Sequence, residues 1–292
     1  MNKGKWSTVL LIVILIAGLS LLLYPSFADY WNSFTQSRAI ASYVDMITDL
    51  NQEDYSHIWQ EAVAYNRSLL DREVTFVQTD EQARQYTKLL NLADSGIMGY
   101  VEIPSIDVQL AIYHGTEEGV LQTAVGHLDW TSLPTGGEST HCVLSGHRGL
   151  PSARLFTDLD KLAVGDYFML NILDEVLTYE VDQIRIVEPH DTQELLIREG
   201  KDLCTLVTCT PYGVNSHRLL VRGHRVDNME KAQDVRLTAD AMVIEKMVVV
   251  PFVLAPILLL MLIVLLISTR KKRNRRKYNE KKTDLPADDP DA

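Results

Sequence analysis

Cysteine is scarce: Cys142, Cys204 and Cys209 are the only three in 292 residues. An odd and small number leaves at least one thiol unpaired, which argues against a disulfide framework and against a four-ligand zinc site. Positive charge is also short over most of the chain. The 28 basic residues face 39 acidic ones for a net charge of -11, and nine of the 28 fall between Thr269 and Ala292. What precedes that tail is therefore more acidic than the chain as a whole, and an acidic body repels a phosphate backbone, so nucleic acid is not an expected partner. Glycine and proline are absent between residues 33 and 92, where nothing punctuates a helix. No internal repeat is present, and no low-complexity segment beyond the charged C-terminal tail. With 46% apolar and 23% charged residues the chain is not disordered.

Two long apolar runs are present. Val9 to Leu23 carries no charge, and Met247 to Ser268 is an uncharged stretch of 22 residues; each is close to the roughly 20 residues a helix needs to cross a bilayer. Lys3 and Lys5 flank the first run, and Arg270-Lys-Lys-Arg-Asn-Arg-Arg-Lys277 follows the second. The positive-inside rule then places both termini in the cytoplasm and the body between the runs outside, with membrane lipid as a partner. Ser26-Phe27-Ala28 is a passable cleavage site. Cleaved or retained, the first run leaves the body outside.

The organisation follows from composition. Residues 1–32 form a membrane anchor or signal segment. Residues 33–95 read as a helical segment, with Ile40, Val44, Ile47 and Leu50 at helical spacing. From Gly96 to about residue 226 short β-branched runs alternate with turns: 99–103, 108–113, 141–145, 166–172, 177–187, 204–209 and 218–222. About seven or eight strands at this spacing predict a closed or sandwiched β domain. Short helices fit around 116–122 and 193–198. Residues 227–246 read as a polar stem, 247–268 as a second transmembrane helix and 269–292 as a basic cytoplasmic tail.

Chemistry concentrates in two places. In 203–225 a strand ends on Cys209, and Pro211, Gly213 and Asn215 reverse the chain into a strand beginning near Arg218. That reversal brings Cys209 and Arg218 to one end of two neighbouring strands. A thiol needs a base or cation to act as a nucleophile near neutral pH, and a guanidinium beside it can hold the oxyanion of an acyl-transfer intermediate. In Val143-Leu-Ser-Gly-His147-Arg-Gly a strand runs into a glycine-rich turn bearing one histidine. Taken alone, these residues leave a buried structural cysteine as an equal alternative.

Thr205-Leu-Val-Thr-Cys209, followed by Pro211-Tyr-Gly and Asn215-Ser-His-Arg218, resembles the Thr-Leu-x-Thr-Cys signature of sortases and its downstream arginine, in the wording of class C, the pilin-polymerising sortases. Gly99-Tyr-Val-Glu-Ile-Pro, Ile112-Tyr-His-Gly-Thr, Val125-Gly-His-Leu, Thr131-Ser-Leu-Pro-Thr-Gly-Gly and Gly146-His-Arg-Gly-Leu-Pro look like the same class. The resemblance covers residues 96–225. It implies a mainly β fold: a sortase-type eight-stranded β-barrel with short helices, preceded by the helical segment and flanked by two transmembrane helices. It also implies a cysteine transpeptidase acting on a Leu-Pro-x-Thr-Gly sorting signal, with Cys209 as nucleophile, His147 as its partner and acid, and Arg218 for the oxyanion or for orienting substrate. The acceptor amine it implies is a lysine of the next pilin. No cofactor or metal is expected. A housekeeping-type sortase that anchors proteins to peptidoglycan, and a non-catalytic membrane-tethered scaffold, are the alternative functions.

Class C enzymes usually carry an Asp-Pro-aromatic lid over the active-site cysteine, but residues 33–98 hold no proline. Asp71-Arg-Glu-Val-Thr-Phe76 keeps an acid and an aromatic at another spacing. The expectation is a loose cover, with Phe76 as its anchor. Among the remaining candidates, Thr208 and Thr205 are expected to support the site from the strand. His127 is the rival to His147 and is expected to support a loop. Cys142 and Cys204 are expected in the core, Cys204 on the face opposite Cys209.

Overall fold

Without glycine or proline to break it, the segment after the first apolar run folds as helices with their own start and stop signals. The computed structural model describes residues 3–71 and 76–228. Helix α1 runs Lys3–Thr48, 46 residues with Pro25 inside it. Among the described residues it is the one helix long and apolar enough to cross a membrane. Among the described residues, those up to Phe27 fall in one compact unit and those from Ala28 to Asn228 in another. The expected stem, second span and basic tail lie outside the described residues.

Helix α2, Gln52–Leu70, starts at Asn51, whose side chain accepts from the Glu53 and Asp54 N–H groups at 3.0 and 2.9 Å. Glu53 and Asp54 in the first turn and Arg67 in the last complement the helix dipole. Helix α3, Asp80–Tyr86, opens with a capping box between Thr79 and Gln82. These helices are part of the body's core. Ile40, Tyr43, Ala62, Tyr65 and Tyr86 bury their side chains in the same cluster as the barrel interior. Tyr43 Oη donates to Met98 O at 2.7 Å and accepts from Leu173 N–H at 2.8 Å. Asn66 pairs its amide with the Leu133 backbone, accepting from N–H at 2.7 Å and donating to O at 3.0 Å. The helical segment is thus bound into the β domain, and α1 crosses residue 32 without a break.

The β region closes into a barrel as expected. Its strands are β1 (Ile97–Ile103), β2 (Val108–His114), β3 (Val125–His127), β4 (Thr140–Ser145), β5 (Tyr167–Ile172), β6 (Glu175–Val187), β7 (Asp202–Thr210) and β8 (His217–Val226). Their order round the barrel is β1-β2-β3-β4-β7-β8-β6-β5. The pairs β2–β3 and β4–β7 are parallel and the others antiparallel. Closure leaves no free sheet edge. The interior is filled by side chains such as Leu144, Leu206, Val221 and the stacked pair Phe168–Tyr179, with ring centroids 5.5 Å apart. The expected helix at 116–122 forms as α4, Glu118–Leu121. The one expected at 193–198 is only a 3₁₀ turn, Gln193–Leu195; Thr192 makes no side-chain cap there and the chain is extended by Leu196.

Candidate active site

Strand alternation decides which residues reach the outer face of the barrel. Along β7, Cys204 and Leu206 point inside and Val207 belongs to a second, external cluster, so Thr205, Val207 and Cys209 share the outer face. Along β8, Leu219 and Val221 are inside and Leu220 is outside, which turns Arg218 outward. Cys209 and Arg218 are direct partners in the β7–β8 register. The reversal between them carries a cis peptide at Thr210–Pro211 and left-handed Gly213 and Asn215.

His147 follows β4 on the other side of β7. The parallel register ends at Ser145↔Val207, and Gly146 N–H then donates to Val207 O at 3.0 Å. Two further steps along that register place His147 level with Cys209. Cys209, Arg218 and His147 are each half-buried, so the three share one end of three adjacent strands with access to solvent. Arg218 Nη1 donates to Asn215 O at 3.3 Å and His217 O at 3.1 Å, which ties the guanidinium to its own turn.

The supporting candidates separate. Thr208 is buried, and its hydroxyl donates to Gly146 O at 2.8 Å, locking the end of β7 to the His147 turn. Thr205 lies deeper on the outer face and donates to His141 Nε2 at 2.7 Å, while His141 Nδ1–H donates to Leu196 O at 2.9 Å. Burial pushes the His141 imidazole down to about 4. His127 is not brought to the site. It pairs with inward-facing Leu144, is fully buried, and uses both ring nitrogens: Nε2–H donates to Ser132 O at 2.8 Å and Nδ1 accepts from Tyr86 Oη at 2.9 Å. It holds the 128–132 loop and α3 to the barrel. Cys142 and Cys204 are register partners in the core, and burial pushes the Cys204 thiol up.

Below the triad the outer face is apolar. Val143, Val207, Leu220 and Leu195 form its floor, with Leu128, Trp130 and Val187 packed at its margin. Phe76 meets Trp130 edge-on at 5.0 Å, and Gln78 donates to Asp129 O. Phe76 is 53% exposed, so it rests on the margin of this face without being buried in it. Sequence reasoning missed two neighbours of the triad, Arg148 and Tyr212, since only the fold brings them together. Among the described residues no group of three or more His, Cys, Asp or Glu side chains is arranged to hold a metal ion.

A thiol, an imidazole and a guanidinium at the strand ends of a closed mixed barrel define a cysteine-based acyl-transfer site, and comparison with known proteins agrees with that class. Residues 101–226 match the family model of the sortase domain. Sortase C1 from Streptococcus agalactiae is 54% identical, with a TM-score of 0.64 over 65% of this chain and 99% of that one. Sortase C from Clostridium perfringens, solved with the C-terminal cell wall sorting motif, is 43% identical, with a TM-score of 0.58 over 65% of this chain and 99% of that one. Sortase D of Bacillus subtilis is 33% identical over 131 residues, 44% of this chain, and the match spans 63% of its own length, less than two thirds. The chain belongs to the sortase family. Within that family it is a class C sortase by sequence and by structure.

Proposed function

We propose that the protein is a membrane-anchored cysteine transpeptidase that cleaves a Leu-Pro-x-Thr-Gly sorting signal between Thr and Gly and joins the acyl group to a lysine amine of a second pilin. The observation that carries this reading is the register pair Cys209↔Arg218, flanked on the next strand by the His147 turn. Cys209 as thiolate attacks the Thr carbonyl, forming the C–S bond, and the oxyanion that develops is met by Arg218. Both hydrogen bonds that the guanidinium makes to its own turn use Nη1, which leaves Nε–H and the Nη2 donors for the oxygen. Collapse breaks the Thr–Gly bond, and His147 delivers the proton the departing glycine amine needs. The lysine amine then attacks the thioester, gives up its proton to His147 and restores the thiolate. The apolar floor of Val143, Val207 and Leu220 suits the Leu and Pro of the signal. Thr208 supports the site by holding Gly146, Thr205 supports the floor through His141, and His127 acts at a distance as a loop brace.

The test is a transfer assay with the full chain in detergent, a Leu-Pro-x-Thr-Gly peptide and two competing acceptors, a lysine-bearing pilin peptide and a glycine-terminated wall peptide. An isopeptide on the lysine is expected. Acylation of the glycine amine alone would contradict pilin joining and favour wall anchoring.

A further inference from the structure

Arg148 follows His147 in the chain and is not a member of the triad, yet its surroundings are unusual for a loop arginine. Its side chain is only 9% exposed. The guanidinium reaches three side chains on two segments at once. Nη2 pairs with Asp160, which lies in the turn Leu159–Lys161; Nη1 donates to Thr210 Oγ1 at 3.4 Å; and the Tyr212 ring lies over it, 5.9 Å from Cζ to the centroid. Its buried Nε has no hydrogen-bond partner. Gly149 completes the seam. Its φ is +76°, and a Cβ there would stand 2.9 Å from Tyr212 Cε2, so the residue after Arg148 is glycine because the Tyr212 ring occupies the space. Its N–H donates to Thr157 Oγ1 at 3.1 Å.

The side chain thus spans two reacting groups, one through its own place in the chain and one through a residue it holds. Arg148 is the neighbour of His147, and Thr210 is the neighbour of Cys209. The backbone bonds of Gly146 stop one residue short of His147, and beyond them the main-chain tie at His147 itself is its carbonyl, which accepts from Phe156 N–H at 3.1 Å. The distance between imidazole and thiol is therefore set by a turn whose far side is fastened through Arg148. Removing an arginine from water is costly unless its donors are used, and a plain packing role would be filled as well by an apolar side chain of that length. A planar fork that bonds Asp160 and Thr210 at once does what an apolar side chain does not: it ties the turn after β4 to the end of β7 and to the 159–161 turn.

We propose that Arg148 is a positioning residue, whose guanidinium, seated between Asp160, Thr210 and the Tyr212 ring, fastens the His147 turn to the Cys209 strand end. The proposal rests on the reading of Cys209 and His147 given above. An error of about 1 Å in such a spacing costs up to roughly 10²-fold in rate. In Arg148→Met, the kcat for peptide cleavage per titrated thiol falls on the order of 10-fold or more while KM stays nearly constant. Arg148→Lys, which keeps the charge and loses the fork, recovers only part of it.

The deciding measurement is the pH dependence of Cys209 alkylation by iodoacetamide in the full chain, read by mass spectrometry, for wild type, His147→Ala, Arg148→Met and Asp160→Asn. The wild-type profile is expected to differ from that of His147→Ala, and the Arg148→Met profile to move toward His147→Ala. Asp160 is half-exposed, so Asp160→Asn carries the same readout should Arg148→Met not fold, and its profile is expected to shift in the same direction. Wild-type profiles in Arg148→Met and Asp160→Asn, with only the melting temperature lowered, would overturn the positioning role and leave the proposed chemistry standing. Coincident profiles for wild type and His147→Ala would overturn the thiol–imidazole pairing itself, and the positioning role with it.

Discussion

Cys209 differs from the other two thiols by where it stands. It is half-buried at a strand end on the outer face, whereas Cys142 and Cys204 sit opposite each other in the core. Cys209→Ala is expected to abolish peptide cleavage with the melting temperature unchanged, and Cys142→Ala and Cys204→Ala to keep most activity per folded molecule; activity in Cys209→Ala would contradict the assignment. For Arg218, charge alone does not suffice where several donors must reach one oxygen. Arg218→Lys should lower kcat on the order of 10²-fold, as the loss of an oxyanion donor does elsewhere, and near-normal turnover would reduce Arg218 to a clasp on its own turn. His141 makes a separate prediction about stability. Its folded-state value is pushed down to about 4 by burial, against about 6.5 in an unfolded chain. Above pH 6.5 neither state carries the proton. Between pH 6.5 and about 4 the unfolded chain binds it and the native state does not, so stability is lost as the pH falls through that window, by up to ~3 kcal/mol. Urea midpoints should fall from pH 7 to pH 4 more steeply in wild type than in His141→Gln; parallel slopes would contradict it.

At the scale of elements, what was legible was what periodicity and turn residues encode. Seven strands were readable because β-branched alternation ran five or more residues between turns. Strand β3 escaped that reading because Val125–His127 is three residues long and holds a glycine, too short to show a period. The face of His127 was not legible either, since it depends on the antiparallel pairing with Leu144. The largest difference concerns the helical segment: an amphipathic pattern shows that a helix buries one face, not what it buries it against. Tyr43, Ala62, Tyr65 and Tyr86 bury theirs in one apolar cluster with the barrel residues, so deleting residues 33–90 is expected to unfold the body as well as open the site. A narrower change isolates the cover. One aromatic edge contact such as Phe76–Trp130 is worth about 0.5–1.5 kcal/mol, and that bounds a shift in open population at roughly 10-fold. Phe76→Ala should therefore raise the rate at which a thiol probe labels Cys209 by no more than about an order of magnitude. A rise of several orders would show a tight lid.

On the scale of the whole molecule, the chain combines an apolar helix, a body beginning at Ala28 and a C-terminal region whose sequence alone supplies the second apolar run and the basic cluster. The charge pattern predicts a body outside the membrane and both termini in the cytoplasm, so protease added to intact spheroplasts is expected to digest the body and spare a tag on the C-terminal tail; loss of the tag would contradict that topology. Such a placement suits an enzyme whose substrates are held at the outer surface. One thiol of the three, Cys209, is expected to carry the acyl group, and a trapped intermediate tests this directly. The full chain in detergent is mixed with a Leu-Pro-x-Thr-Gly peptide without acceptor amine, quenched in acid and mapped by mass spectrometry. A thioester of the Leu-Pro-x-Thr fragment is expected on Cys209, absent in Arg218→Ala and discharged by hydroxylamine. An adduct on Cys142 or Cys204, or free cleaved peptide from Cys209→Ala, would contradict it.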